Sequence, residues 1–285
     1  MPGIQNNRQT NQILGYPPEM RLLILNADDF GMCHAVNEAI YRTLQAGVVR
    51  STSLMVPCPW ASHAIHFLRH HPEFPFGVHL TATCDGDKYT WGPVACREKV
   101  PALVDEAGHF LSMERLPEHL DTSGVEQLEV EFKSQIEVVL AAGLQPTHLD
   151  WHALRILKRP DILDLLLQLA REYGLALRVA GEHFIKKVRS QGLPCNDYDF
   201  LDSSCLDTEK KAARYTQLLH ALPAGLSEWA VHPGLDTPEL LALEPDGNHV
   251  RQTDHDFWTS PMAKEIVQQE GIILLDYRAL QALWR

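Results

Sequence analysis

Along this chain, short apolar runs alternate with longer stretches in which apolar residues recur at helical spacing. Leu22 to Asn26 reads as a buried strand, stopped by the carboxylates of Asp28 and Asp29. From His34 to Gln45, Val36, Ala39, Ile40 and Leu44 follow a helical period, and Gly47 stands where a left-handed cap belongs. The same alternation predicts strands over Ser53 to Val56, Phe76 to Leu80, Thr147 to Asp150, Leu175 to Val179, Glu228 to Val231 and Ile272 to Leu275. Helices are expected over Trp60 to Arg69, from Ser123 to Ala142, over Asp161 to Tyr173 with Gly174 closing it, from Asp207 through Leu219, from Ser260 to Gly271, and over Tyr277 to Trp284. Two starts carry capping chemistry: Ser123 and Glu126 have capping-box spacing, and Ser260 precedes Pro261 as cap and first position.

Strands that are mostly followed by helices imply a mainly parallel sheet. The expected fold is α/β, either an open sheet or a closed or incomplete barrel, with a barrel favoured. No G-x-G-x-x-G follows the first strand, so a dinucleotide fold has no support. Residues 83–122 break the rhythm with Gly86, Gly92, Pro93, Pro101, Gly108 and Pro117. They read as an insertion over one face, either a lid or binding loop or a plain surface excursion. Residues 1–20 are polar and carry Pro17 and Pro18, which suggests a flexible N-terminal arm. Residues 21–285 then form a single domain. The arm could fold over the surface or over a second copy in a homodimer.

Charge narrows the partners. The 285 residues carry a formal charge of -12 and show no long basic cluster. Nucleic-acid phosphates and anionic membranes are poor partners for such a surface. No apolar stretch approaches the ~20 residues of a membrane-spanning helix, and the first residues lack the apolar core of a secretory signal. A cytoplasmic location is expected. None of the six cysteines forms a C-x-x-C pair, so reduced thiols are expected too.

The chemistry collects at strand ends, where barrels of this kind keep their working residues. Strand one ends in Asp28 and Asp29, strand three leads into His79, the fourth carries His148, Asp150 and His152, and the strand at Val231 ends in His232. Alternation along a strand points His148, Asp150 and His152 to one side. Imidazole and carboxylate converging there would suit a divalent metal, and a carboxylate beside a ligating imidazole can orient its ring. Read without a metal, the same segment is a polar strand end. Two adjacent carboxylates could divide labour, one binding an ion and one handling a proton. Gly31 would let the chain turn so that both face a pocket. Alternatively, one Asp merely caps the helix near His34.

Four blocks in order, Asn26-Ala27-Asp28-Asp29-Phe30-Gly31, Gly77-Val78-His79-Leu80, Pro146 through His152, and Val231-His232-Pro233-Gly234, resemble the YdjC-like (ChbG-type) carbohydrate deacetylase family. The resemblance runs from Arg21 to Arg278. It implies an irregular β/α barrel and metal-dependent hydrolysis of the N-acetyl group of an acetylated amino sugar or oligosaccharide, with one divalent ion, magnesium or zinc. It further implies Asp28 as catalytic base, Asp29, His79 and His152 as metal ligands, and His232 as general acid. Many members continue past the second ligand histidine with further histidines; Ala153 and Leu154 stand here instead, which leaves the sugar contacts open. Asp150 is expected to orient His232 or a ligand imidazole, and His148 to support the site or simply end a strand. Arg178, Arg251 and Asp254 could bind sugar hydroxyls, although surface ion pairing is their commoner role. Trp91 and Trp151 could stack on a sugar ring or belong to the core. His63, His66, His70, His71 and His220 read as helix-surface residues. The rival functions are a metal-dependent hydrolase of another amide or a phosphoester, and a non-catalytic sugar-binding homologue.

Overall fold

The strand Arg21–Phe30 (β1) is buried from Leu22 to Phe30, because parallel neighbours cover both of its edges and other layers cover both faces. The computed structural model describes residues 9–86, 88–153 and 159–285. Seven further strands join β1 in one all-parallel sheet: Ser51–Leu54 (β2), Phe76–Leu80 (β3), His148–Trp151 (β4), Ala176–Leu177 (β5), Leu201–Asp202 (β6), Gly225–Val231 (β7) and Ile273–Leu275 (β8). Their order is β5-β4-β3-β2-β1-β7-β6, with β8 also pairing β1. β8 lies against Leu22 to Ile24 and β2 against Asn26 to Phe30, while β7 takes the other edge from Arg21 to Ala27. The sheet curls into a partial barrel with helices around it, the expected irregular α/β barrel.

The barrel's open seam lies between β5 and β6. There a side chain replaces the missing ladder. Asn196, buried just before β6, accepts from the Val179 N–H at 3.3 Å and donates to the carbonyls of Val179 and Tyr198, both at 2.7 Å. Its neighbour Asp197 donates its N–H to the Leu226 carbonyl of β7 at 2.8 Å. The Asn196 side chain thus ties the segment after β5 to the segment before β6.

Most helices fall where the pattern placed them. His34–Ala46 ends at Gly47 with φ 83, and Pro160–Tyr173 ends at Gly174 with φ 63. The expected capping box is replaced: Asp121, not Ser123, caps the helix Thr122–Ala141 by accepting from the Gly124 N–H. Ser260 does cap Pro261–Gln269. The helices Glu182–Ser190, Pro238–Leu243 and Asn248–Thr259 were not expected. Among the described residues, no helix is long and apolar enough to cross a membrane.

Residues 1–8 of the expected arm lie outside the described residues. From Gln9 onward the segment is docked rather than free. Thr10 and Asn11 are fully buried. The Thr10 N–H meets the Asp197 carboxylate at 3.0 Å, and its hydroxyl donates to the Cys195 carbonyl at 2.5 Å. The insertion is pinned from below by the helix Thr122–Ala141, whose buried Glu131 accepts from the N–H groups of Val94 and Ala95 at 3.0 and 2.9 Å. Trp91 donates its indole N–H to the Thr83 carbonyl at 3.0 Å.

Replacing Asn196 with Ala should strip Val179 of both partners at the seam. The expected loss is about 1–3 kcal/mol, the usual cost of leaving buried polar groups unpaired. Urea unfolding of the variant beside the wild type measures it; an unchanged midpoint would show that the seam does not depend on this amide.

Candidate active site

Asp28 and Asp29 are consecutive, so a regular strand would send their side chains to opposite faces. Two features bring both to the same cavity. The β1–β2 register shifts between Ala27 and Phe30, and Asp29 adopts φ 73. A left-handed conformation costs a non-glycine residue roughly 1–2 kcal/mol. The strain therefore sits on Asp29 itself rather than being relieved wholly at Gly31. Gly31 has its own reason: at φ 101, a Cβ would stand 3.1 Å from the Met55 carbonyl oxygen and 3.2 Å from the Ala61 Cα.

Asp29 is the meeting point of the two expected imidazoles. Its Oδ1 lies 3.2 Å from His79 Nε2 and 3.1 Å from His152 Nδ1, while Oδ2 accepts from Arg251 at 2.8 Å. All three residues of the trio are buried. Each ring has a carboxylate behind it. His79 Nδ1 faces Asp150 Oδ1 at 2.9 Å and the Ser53 hydroxyl at 3.1 Å; His152 Nε2 faces Asp85 Oδ1 at 2.6 Å. Asp150 thus faces the imidazole of His79, and among the described residues no hydrogen bond or ion pair joins it to His232.

Asp28 is held by other partners. Arg178 grips it with two nitrogens, at 2.6 Å to Oδ2 and 2.9 Å to Oδ1, and Asn26 donates to Oδ1 at 2.7 Å. Its Oδ2 comes to 4.0 Å from His79 Nε2. Arg178 also meets Asp150 Oδ2 at 3.2 Å and Glu228 Oε1 at 2.6 Å, and Glu228 accepts the hydroxyl of Tyr277. Arg251 joins Asp29 to Glu244, at 2.6 Å to Oε2. Arg178, Arg251 and Asp254 are therefore buried network members, not surface pairs. They are buried because a carboxylate out of water needs a charged or hydrogen-bonding partner.

The protonation tendencies follow from these contacts. Burial alone would raise Asp29, but Arg251 and the two imidazoles outweigh it and hold the carboxyl well below its ordinary range. Burial would likewise raise Asp150, and His79 and Arg178 reverse that. Burial opposes charge on His79, yet Asp150, Asp28 and Asp29 push it up to about 9. His152 is raised as well against its burial, by Asp85 and Asp29. Glu228 is raised, burial there prevailing over Arg178 and Tyr277.

His148 does not face the trio. Its ring is fully buried and stacks on Tyr277, centroids 3.6 Å apart at 12°. Its Nε2 sits 3.7 Å from Asp150 Oδ2, without a hydrogen-bond partner. A Cβ on Gly77 would come within 2.5 Å of that ring, so the glycine before Val78 and His79 exists to admit His148. His232 follows β7, and its Nδ1 meets the Ser203 hydroxyl at 2.8 Å. His63, His66 and His70 are exposed along the helix Ala61–His70, as expected.

Asp28, Asp29, His79, His152, Arg178 and His232 line one cavity of about 950 Å³. Trp91 and Trp151 are both buried for the most part and still reach that wall. The insertion contributes Asp85 and Tyr89. Sequence reasoning missed Asp85, Glu228, Glu244, Tyr277 and Ser203. Of these only Glu228 left a signal, an acid in the middle of the apolar strand Gly225–Val231. Ala153 follows with φ 45, and Leu154 lies outside the described residues.

Whether the trio suits a divalent cation turns on its donors. One carboxylate oxygen and two imidazole nitrogens lie within 4.8 Å of one another, and a second set, Asp28, His79 and Asp150, overlaps it through His79. Two nitrogens and an oxygen are a borderline-ion set, three protein donors leave coordination positions open toward the cavity, and outer carboxylates fix both rings. The residues fit a metal.

A family model described as YdjC-like protein matches residues 22–269. The chain belongs to the YdjC-like family. The chain is similar to proteins named carbohydrate deacetylase from Thermoanaerobacter pseudethanolicus, 29% identical over 92% of this chain and 100% of that protein, and from Geobacillus stearothermophilus, 32% identical over 92% and 99%. A crystal structure from Enterococcus faecalis V583, whose name assigns it as a proposal to cellobiose-phosphate cleavage, superposes with a TM-score of 0.79 at 29% identity, covering 92% of this chain and 99% of that one.

Replacing Asp150 with Asn keeps shape but removes the charge behind His79. Affinity for a divalent ion should fall about 10–100-fold, the usual effect of losing such an outer partner. Calorimetric zinc titration of the ion-free protein reads this directly, and equal affinities would mean that Asp150 serves the Arg178 network alone.

Proposed function

We propose that this protein is a metal-dependent carbohydrate N-deacetylase that releases acetate from an acetylated amino sugar or oligosaccharide. The observation that carries the reading is the pairing of two carboxylates at one strand end. Asp29 joins His79 and His152 as a ligand set, while Asp28 stands beside it in the same cavity, engaged by a different arginine. The names of the relatives supply the substrate class.

A divalent ion held by Asp29, His79 and His152 would supply Lewis acidity toward the acetyl carbonyl and acidify a water beside it. Asp28 takes the proton of the attacking water, and Arg178 and Asn26 keep its carboxylate aimed into the cavity. His232 gives a proton to the departing amine, which is a poor leaving group until protonated. Trp91, Trp151 and Phe200 offer apolar faces on which a sugar ring can lie. The cavity is at the upper end of the ~300–1,000 Å³ range of small-molecule sites, which suits more than one sugar ring. Two imidazoles favour zinc or a similar ion over magnesium, which prefers oxygen donors.

A phosphoester reading has less support. Both guanidinium groups on the wall are already engaged, Arg178 by Asp28, Asp150 and Glu228, and Arg251 by Asp29 and Glu244. Among the described residues, Lys88 is the remaining Lys or Arg on that wall.

Three measurements test the proposal. Acetate release from N-acetylglucosamine oligosaccharides should vanish on chelation and return with single divalent ions, whose ranking names the metal. Asp28→Asn should lose about 10²–10⁴-fold in kcat, the scale of a general base, and still bind the ion. His79→Ala and His152→Ala should lose the ion itself, as shown by metal analysis. Full metal occupancy in both alanine variants would remove the ligand set, and a fully active Asp28→Asn would remove the base.

A further inference from the structure

His232 is tied to a buried network that the proposed reaction does not by itself require. Four elements build it. Ser203 follows β6, His232 follows β7, Asp254 lies in the helix Asn248–Thr259, and Lys211 and Tyr215 lie in the helix Lys211–His220. Asp254 and Lys211 have no exposed surface. The Asp254 carboxylate accepts three hydrogen bonds and pairs with one ammonium group. Oδ1 takes the Tyr215 hydroxyl at 2.7 Å and Lys211 Nζ at 2.8 Å. Oδ2 takes the Ser203 hydroxyl at 2.5 Å and the backbone N–H of His232 at 2.8 Å.

A serine hydroxyl has one proton to donate and lone pairs to accept with. Ser203 gives that proton to Asp254, so toward His232 Nδ1, 2.8 Å away, it can only accept. Nδ1 must then carry hydrogen, in the neutral ring and in the imidazolium alike. Nε2 has no partner among the described residues, and the ring reaches the cavity wall. We propose that Ser203 and Asp254 are positioning residues that hold a proton on His232 Nδ1, so that every proton His232 exchanges passes through Nε2 on the cavity side. The inference rests on the reading of His232 as general acid. Without that acceptor the ring can turn, and a neutral ring with its proton on Nε2 cannot be charged from the cavity side.

Among the described residues, the charged and titratable groups around the ring are Asp202, whose Oδ1 is 3.9 Å from Nδ1, Asp254 behind Ser203, Lys211 and Tyr215 behind Asp254, and Arg178 across the cavity wall. Asp202 belongs to β6 and accepts from Ser204, so it is a second negative neighbour on the Nδ1 side.

The test uses the full-length protein labelled with ¹⁵N-histidine, with His232→Ala identifying the ring signals by their loss. The wild type should show hydrogen on Nδ1, with titration at Nε2. Ser203→Ala should mix the two neutral tautomers and displace the His232 limb of the pH–rate profile. It should also lower kcat by about 10-fold or more, within the ~10²–10⁴-fold that a general acid contributes. KM should change by less than about twofold, as expected when only transition-state help is lost. Ser203→Thr, which keeps the hydroxyl, should restore the spectrum and most of kcat. Asp254→Asn probes the same relay, and the Ser203 pair carries the test if that buried variant fails to fold. Hydrogen on Nε2 in the neutral wild-type ring, or a Ser203→Ala variant with unchanged spectrum and kcat, overturns the inference. A wild type that releases no acetate from any sugar defeats the proposed function instead, while the ring spectrum still decides the tautomer.

Discussion

Charge taken out of water has to be answered nearby, and this structure is arranged around that demand. Asp28, Asp29, Asp150 and Glu228 are all buried. Two guanidinium groups and two imidazoles answer them: Arg178 serves Asp28, Asp150 and Glu228, and Arg251 serves Asp29 and Glu244. Removing one member of a buried ionic pair typically costs about 3–5 kcal/mol, because the other is stranded. The position of each acid is therefore set by a partner on another strand or helix. Each of these acids has a cationic side chain beside it.

That pairing has a local cost in geometry. Bringing adjacent carboxylates to one cavity requires the register shift in β1 and the positive φ at Asp29. Elsewhere small residues yield space to functional ones, as Gly77 does to the His148 ring. His148 in turn packs on Tyr277, whose hydroxyl reaches Glu228 and so touches the Arg178 network. The family motif around Gly77 and His79 thus holds packing and chemistry in alternate positions of one strand. The same division appears at Asp150 and Trp151, where one side chain holds His79 and the next lines the cavity.

Much of this could be read along the chain. Strands with continuous apolar runs, such as Leu22 to Leu25 in β1, and helices with an apolar face and a glycine stop, such as Pro160–Tyr173, announced themselves. The elements that escaped did so for a physical reason. β6 is two residues long and shows no period. The helix Asn248–Thr259 buries Asn248, Arg251 and Asp254 ahead of Phe257 and Trp258, so the first part of its inward face is polar and breaks the apolar repeat. The docking of residues after Gln9 likewise depends on Asp197 and Cys195, nearly two hundred positions away.

By itself the sequence determined the alternating architecture, the strand ends that carry acid and imidazole, and the resemblance to the family, because periodicity and short motifs are local properties. Tertiary structure alone decided which partner each charge would have. It gave Asp150 to His79, Arg178 to Asp28, Arg251 to Asp29 and Ser203 to His232. Those choices are made by distance in space between residues up to 222 positions apart, and nothing in the local order of residues encodes them.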